Sequence, residues 1–264
     1  MKVKQVELSQ EEWGRFEWQI MIPGFGAQAQ RKLKGASALV TRVGGLGSPA
    51  ALNLAMAGIG KLILAHGGTV ELFHMNRWIL ASYDAIERSC PAVLAAERIA
   101  ALNPTVEIEV IEENATEQNV ERMVERVDVV LDCPPTFEER HLLNAACVRL
   151  GKPMIEAAVY GTEGYLTTII PGKTACIACL DVGPQDWRLP FPVLGAMACA
   201  IGSMAALEAI KVITGYGTPL LNTLLLLDGA TGKTRYLKLD ANPDCRLRCQ
   251  TARTHTAGVA ATKG

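Results

Sequence analysis

The stretch from Ala38 to Arg77, ALVTRVGGLGSPAALNLAMAGIGKLILAHGGTVELFHMNR, constrains the fold of this chain more than any other. Leu39 to Thr41 supply a short apolar run and Gly44-Gly45-Leu46-Gly47 a glycine turn. Pro49 suits the first turn of a helix, and Ala50 to Ala57 are small enough for that helix to lie close on a sheet. A second apolar run, Lys61–Ala65, follows. Strand, glycine turn, helix, strand is the opening of a nucleotide-binding βαβ unit. In the G-x-G-x-x-G fingerprint the first glycine turns the chain without a side chain, and here that position is Arg42. The pattern therefore predicts the fold of a nucleotide binder with an altered phosphate seat.

Further strand-like runs lie at Val106–Ile111, Asp128–Asp132, Pro153–Val159, Tyr165–Ile170 and Leu224–Asp228. The early ones alternate with helical stretches at Pro91–Leu102, Thr116–Arg126 and Glu138–Leu150. This alternation predicts an α/β, Rossmann-like fold with a mostly parallel sheet and helices on both faces. From about Tyr160 the pattern changes to hairpin-like segments, EGYLTTIIPG and LLLLDGATGKTRYLKL, so the later strands are expected to be antiparallel. One domain is expected over 1–249, with a nucleotide-binding half at about 36–160 and a hairpin half at about 161–249. The small, threonine-rich residues 250–264 read as a loose tail.

Net charge of −1 over 264 residues gives no electrostatic case for nucleic acid or an acidic membrane surface. The N-terminus MKVKQVELSQEEWGRF lacks the apolar core of a signal peptide, and with eight cysteines this points to a reducing cytoplasm. Phe191 to Leu207 carry no charge, but a membrane span needs about twenty apolar residues, so a buried helix is expected there.

Cys176 and Cys179 form a C-x-x-C, and Cys245 and Cys249 a C-x-x-x-C. Two thiolate pairs far apart in sequence are the usual makings of a tetrahedral Zn²⁺ site that ties loops together. The other reading is four independent reduced thiols.

With those pairs in place the chain, from about Trp13 to Cys249, resembles the ThiF/MoeB/HesA superfamily, relatives of the ubiquitin-activating enzymes. The resemblance rests on IMIPGFGAQAQRKLKGASALV, GGLGSPAALNLAMAGIGKL, ERIAALNP, LLNAACVRLGKP, GSMAALEAIKVITG and the cysteine pairs. It implies a homodimer that binds ATP and adenylates a carboxylate, often the C-terminal glycine of a ubiquitin-like sulfur carrier. Matching residues position by position places the ligand pocket at Arg42, Gly44, Gly45, Gly47, His66, Asn76, Arg77, Asp132 and Cys133.

Much of what the family uses for chemistry is replaced. The family's ribose-binding aspartate falls on His66, a second aspartate on Gly68, and a serine and asparagine on Phe73 and His74. An arginine donated across the dimer falls on Trp18, SCPAVLAAERI holds no phosphate-binding lysine, and the Mg²⁺ aspartate falls on Pro135. Only Arg77 remains to meet phosphates. Loss of one charge-stabilising group commonly costs about 3–4 kcal/mol of barrier, so Mg²⁺·ATP is a doubtful cofactor.

Several positions carry two readings. Arg42 either fills the vacated phosphate space or turns out to solvent. Cys133 either faces the pocket or is a buried thiol, and Cys199 reads as a core thiol. His66 and His74 either pair as ligands or are isolated substitutions. The loop Asp181–Gly195 has no cysteine, which argues against thioester chemistry from it.

Three functions follow from this. The first is a non-catalytic paralogue kept as a binding module for a carrier tail or an active relative. The second is a divergent adenylyltransferase. The third is a binder of another nucleotide such as NAD, weakened because no acid ends the second strand.

Overall fold

The computed structural model describes residues 3–180 and 190–250. Most of the cysteine-free loop (181–189) and the expected tail after Gln250 lie outside the described residues.

Two helices that the strand pattern did not announce precede the βαβ unit: α1 (Gln10–Ile20) and α2 (Gly26–Lys34). The first opens on a capping box, with Ser9 Oγ accepting from the Glu12 N–H at 3.2 Å and the Glu12 carboxylate accepting from the Ser9 N–H at 2.7 Å. The side-chain amides of Gln19 and Gln30 both donate to the Ala57 carbonyl, one of the last acceptors of the following helix, at 2.9 and 2.8 Å.

The main body then runs β1 (Ser37–Thr41), α3 (Gly47–Ala57), β2 (Lys61–Ala65), α4 (Pro91–Leu102), β3 (Glu107–Ile111), α5 (Val120–Glu125), β4 (Val129–Asp132) and α6 (Phe137–Leu150). It continues with β5 (Met154–Tyr160), β6 (Glu163–Ile169), α7 (Gly195–Thr214), β7 (Thr223–Asp228) and β8 (Lys233–Lys238). The eight strands of the described residues form one sheet in the order β3-β2-β1-β4-β5-β6-β7-β8. The pairings from β3 to β5 are parallel and those from β5 to β8 antiparallel. The sheet is thus mixed, as the change of pattern near Tyr160 foretold.

Strand alternation divides the core between the two faces. Ala38, Val40, Leu62, Leu64 and Leu131 pack with α3, α4 and α7, whereas Leu39, Ile63, Val130 and Met154 pack with α5, α6 and the four paired cysteines. The uncharged stretch does become a helix, but α7 starts at Gly195 and continues through Glu208 and Lys211 to Thr214. It is long and apolar enough to cross a membrane, yet half of it is buried, against α3, β5 and β6. The small residues on α3 and α7 therefore pack mainly on each other within the chain, leaving Met56 and Leu207 exposed. Helix α5 is shorter than Thr116–Arg126, because Asn119 Oδ1 accepts from the Thr116 N–H at 2.7 Å and holds the first residues in a turn. Strand β8 closes the sheet with all six residues exposed.

Candidate functional site

The order of the parallel strands reverses between β1 and β4, and in open α/β sheets ligands bind in the crevice beyond the strand ends at that point. A cavity of about 940 Å³ opens there. Arg42 follows β1, His66 follows β2 and Cys133 follows β4, so three strand ends bring three of the sequence candidates together. Gly44, Gly45, Asn76 and Arg77 line the same cavity. Gly47 and Asp132 do not. Gly47 is the close-packing glycine between helix and strand: a Cβ there would stand 2.5 Å from the Arg42 carbonyl oxygen. Asp132 is fully buried behind the cavity wall.

Trp78, which sequence reading passed over, dominates the wall. It is 8% exposed, and a Cβ added at Gly44 would lie 2.8 Å from its Nε1. The Arg77 stem lies against Gly45 in the same way, 3.1 Å from a Cβ there. In a dinucleotide-binding turn such close approach admits the pyrophosphate, and here an indole and an arginine stem hold it. His74 stacks on Trp78 with ring centroids 3.6 Å apart and planes 6° from parallel, and Phe73 abuts His74 at 4.1 Å. His66 sits 5.0 Å from the indole at a tilt. His66 and His74 thus share a wall through Trp78 rather than form a ligand pair.

Burial, then the charge of Arg42, holds the His66 imidazole down to about 3, and burial with Arg77 holds His74 down to about 4. Both rings are neutral at pH 7. The buried Nδ1 of His66 has no hydrogen-bond partner among the described residues.

Arg42 neither enters the phosphate space nor turns out to solvent. Its Nε donates to Glu139 on α6 at 2.8 Å, and Glu139 also accepts from the Ala115 N–H at 3.3 Å. Its φ is 54°, the left-handed region that the fingerprint glycine would occupy without strain. Arg140, next on the same helix, donates to Glu156 at 2.8 Å, Asp132 at 3.3 Å and two backbone carbonyls. Burial works against its charge, but Glu156 and Asp132 outweigh that and hold it protonated. Burial and then the Glu156 carboxyl push Asp132 well above the usual carboxylate range. Arg77 differs: its Nη1 donates to the Phe73 carbonyl and Asn76 Oδ1, both at 2.7 Å, and no carboxylate partners it among the described residues.

Cys133 faces the cavity, though only 6% exposed, and burial raises its thiol far above neutrality, so it is no nucleophile. Cys199 lies half-buried on α7. Glu71 is the one carboxylate among the described lining residues. A second cavity of about 290 Å³ shares Phe137 and Tyr165 with the first and continues past Thr167, Leu224 and Ile177 to Cys176.

There the two cysteine pairs converge. The Sγ atoms of Cys176, Cys179, Cys245 and Cys249 all lie within 4.8 Å of one another, with contacts of 3.9, 3.7 and 3.3 Å. Four thiolates about 2.3 Å from a tetrahedral ion stand about 3.8 Å apart, so the donor set fits a metal.

Comparison with known proteins agrees with this architecture. The profile of the ThiF family matches residues 16–247. The chain belongs to the ThiF family. Among curated ThiF-family relatives, Protein HesA, heterocyst, of Trichormus variabilis is 48% identical over 84% of each chain. Adenylyltransferase and sulfurtransferase MOCS3 of Drosophila ananassae is 38% identical, covering 93% of this chain but 55% of the relative. Among solved structures, E. coli MccB with MccA-N7isoASN superposes with a TM-score of 0.80 at 22% identity, over 92% of this chain and 76% of that one. Another holds MccB in complex with N-formylated MccA, with a TM-score of 0.77 at 22% identity, over 83% of this chain and 69% of that one.

Sequence reasoning missed three residues of this ThiF-family site: Trp78, Glu139 and Arg140. Trp78 ends the motif that was matched position by position, and a bulky aromatic two residues after Asn76 was its visible signal. Glu139 and Arg140 sit in FEER at a helix start, where acids ordinarily face water and favour the helix dipole.

Proposed function

We propose that this ThiF-family chain is a binding module that holds the C-terminal tail of a ubiquitin-like carrier, or an equivalent partner segment, without adenylating it. One observation carries the reading: the glycine turn is packed against Trp78 and Arg77, while Arg42 and Arg140 are bound to carboxylates. The groups that neutralise a developing polyphosphate charge are thereby missing or occupied. The two cavities share Phe137 and Tyr165 as wall residues, and an extended guest would run past Leu224 and Tyr165 toward the guanidinium of Arg77. MccB in complex with N-formylated MccA is an analogy for a peptide partner on this fold.

The same reading includes a structural Zn²⁺ held by Cys176, Cys179, Cys245 and Cys249, where the metal ties the loop after β6 to the C-terminal segment and takes part in no reaction. It includes a homodimer, supported by the exposed apolar side chains of Trp18, Met21 and Ile22, and an active paralogue as the second partner. The remaining elements are a single domain over 1–249, a loose tail at 250–264, a cytoplasmic setting, and no role for nucleic acid or membrane.

The test is ATP–pyrophosphate exchange alongside calorimetry with carrier proteins. Tail-dependent binding without exchange is the expected result. Robust exchange would establish the alternative, an active ATP-dependent adenylyltransferase, which Arg77, with no carboxylate partner among the described residues and in a roomy cavity, favours.

A further inference from the structure

Asparagine is unusual in the core-facing interior of a helix, because its amide must give up water and find partners for two N–H groups and an oxygen. Asn144, in the middle of α6, is 1% exposed. Its Oδ1 accepts from the Ile177 N–H at 3.3 Å, which fixes the oxygen end of the amide. Its Nδ2 is buried and has no hydrogen-bond partner among the described residues. The side chain this donor faces is Cys176, the neighbour of Ile177. Burial raises the Cys176 thiol, to about 11, and the Asn144 amide is the first contact to oppose the rise. Packing alone does not account for the arrangement, since a leucine would fill the same space beside Leu143, Ala146 and Cys147 without an orphan donor.

A metal supplies what the amide lacks. A neutral thiol is a weak acceptor, whereas a thiolate is charged and a stronger one. Four thiolates around one Zn²⁺ leave a net negative charge in the core, and N–H groups aimed at the sulfurs offset it. The Cys245 sulfur faces the backbone N–H groups of Cys249 and Leu247 in its own loop. In the turn after Cys176 the Cys179 N–H donates to the Cys176 carbonyl at 2.9 Å and the Ile177 N–H to Asn144. The side chain of Asn144 therefore stands where those two backbone donors are already used.

We propose that Asn144 is a positioning residue of the metal centre: its Oδ1 holds the turn that carries Cys176, and its side-chain N–H donates to the Cys176 thiolate once the ion is bound. Helix α6 thereby becomes part of the metal site. The inference rests on the reading that the four cysteines hold Zn²⁺.

NMR of the wild-type protein, loaded with an NMR-active isotope of Cd²⁺ and labelled with heavy nitrogen, tests it. An N–H that donates to a metal-bound sulfur couples to the metal nucleus. The Asn144 side-chain N–H should show that coupling, with the Leu247 and Cys249 backbone N–H groups as internal standards. Competition for Zn²⁺ with a chromophoric chelator then compares the wild type with Asn144→Asp, which keeps an oxygen for the Ile177 N–H and loses the donor. Zn²⁺ affinity should fall about 10–100-fold, the usual effect of removing a partner of a metal ligand. In the Co²⁺-loaded variant the sulfur-to-metal charge-transfer band should move to lower energy, because the sulfur loses a hydrogen bond. Full loading of the wild type with no coupling at Asn144, or wild-type Zn²⁺ affinity in Asn144→Asp, overturns the proposal. The wild-type spectrum decides even if the variant does not fold. A chain that takes up neither Zn²⁺ nor Cd²⁺ removes the metal reading and this inference with it, whereas full loading without the coupling removes this inference alone.

Discussion

At the scale of single residues, Arg42 carries two opposed costs. Its left-handed backbone is strained by roughly 1 kcal/mol relative to glycine, while its guanidinium is the charged partner of the buried Glu139. Arg42→Gly relieves the first and strips Glu139 of its cation, a loss of about 3 kcal/mol for a buried carboxylate. We expect a net destabilisation of about 2 kcal/mol by urea denaturation, most of it recovered when Glu139→Gln is added; an unaffected single variant refutes the pairing. Asp132 gives a pH-dependent counterpart. Its folded-state pKa is raised, so its contribution to stability is full below the ordinary carboxylate value and is lost as pH rises toward the folded one. Asp132→Asn supplies the hydrogen permanently. Its stability relative to the wild type should climb between pH 4 and pH 8, and a flat difference across that range argues against a raised Asp132. The place of Arg42 in the turn was legible because a fingerprint position is local. Its partner was not, because Glu139 lies 97 residues away and nothing in FEER tells a buried acid from a solvated one.

At the scale of elements, the glycine turn and the segment ending in Trp78 behave as one packed unit. Gly44→Ala puts a methyl against the indole and should cost about 1–3 kcal/mol, the usual range for overpacking. The same change in a Trp78→Ala background should cost much less, and equal costs in both backgrounds would show that the indole is not what the glycine accommodates. Strands from β1 to β7 were readable because each is a short apolar run bounded by turn residues. Helices α1 and α2 were not, because their apolar faces are narrow, although Ser9 and Glu12 spell a capping box. The bounds of α7 slipped because absence of charge marked the core-facing stretch, whereas the helical period continues past Glu208, which accepts from Thr168 Oγ1 at 2.8 Å and from the Leu220 N–H at 2.8 Å.

At the scale of the whole molecule, the cysteine cluster joins the loop after β6 to the end of the described chain across about 70 residues. Chelation should therefore unfold more than a loop. We expect one zinc per chain by elemental analysis and a fall in Tm of about 10 °C in chelator, at about 2–4 °C per kcal/mol for a protein of this size. An unchanged Tm would mean four free thiols. The paired cysteines announced this closure in the sequence, whereas the two cavities, assembled from separated segments, left no local signal. The far end of the sheet has a different vulnerability. Strand β8 offers its outer backbone edge with no neighbour among the described residues, and such an edge is a template for another chain. Lys233, Arg235 and Lys238 stand along it, with Tyr236 and Leu237 exposed between them. Like-charged side chains on two such edges repel before backbone hydrogen bonds can form. Lys238 is held by Asp240 at 2.6 Å and Lys233 faces Asp228 across the pair, so Arg235 is the cation of this edge best placed to discourage pairing with a second copy.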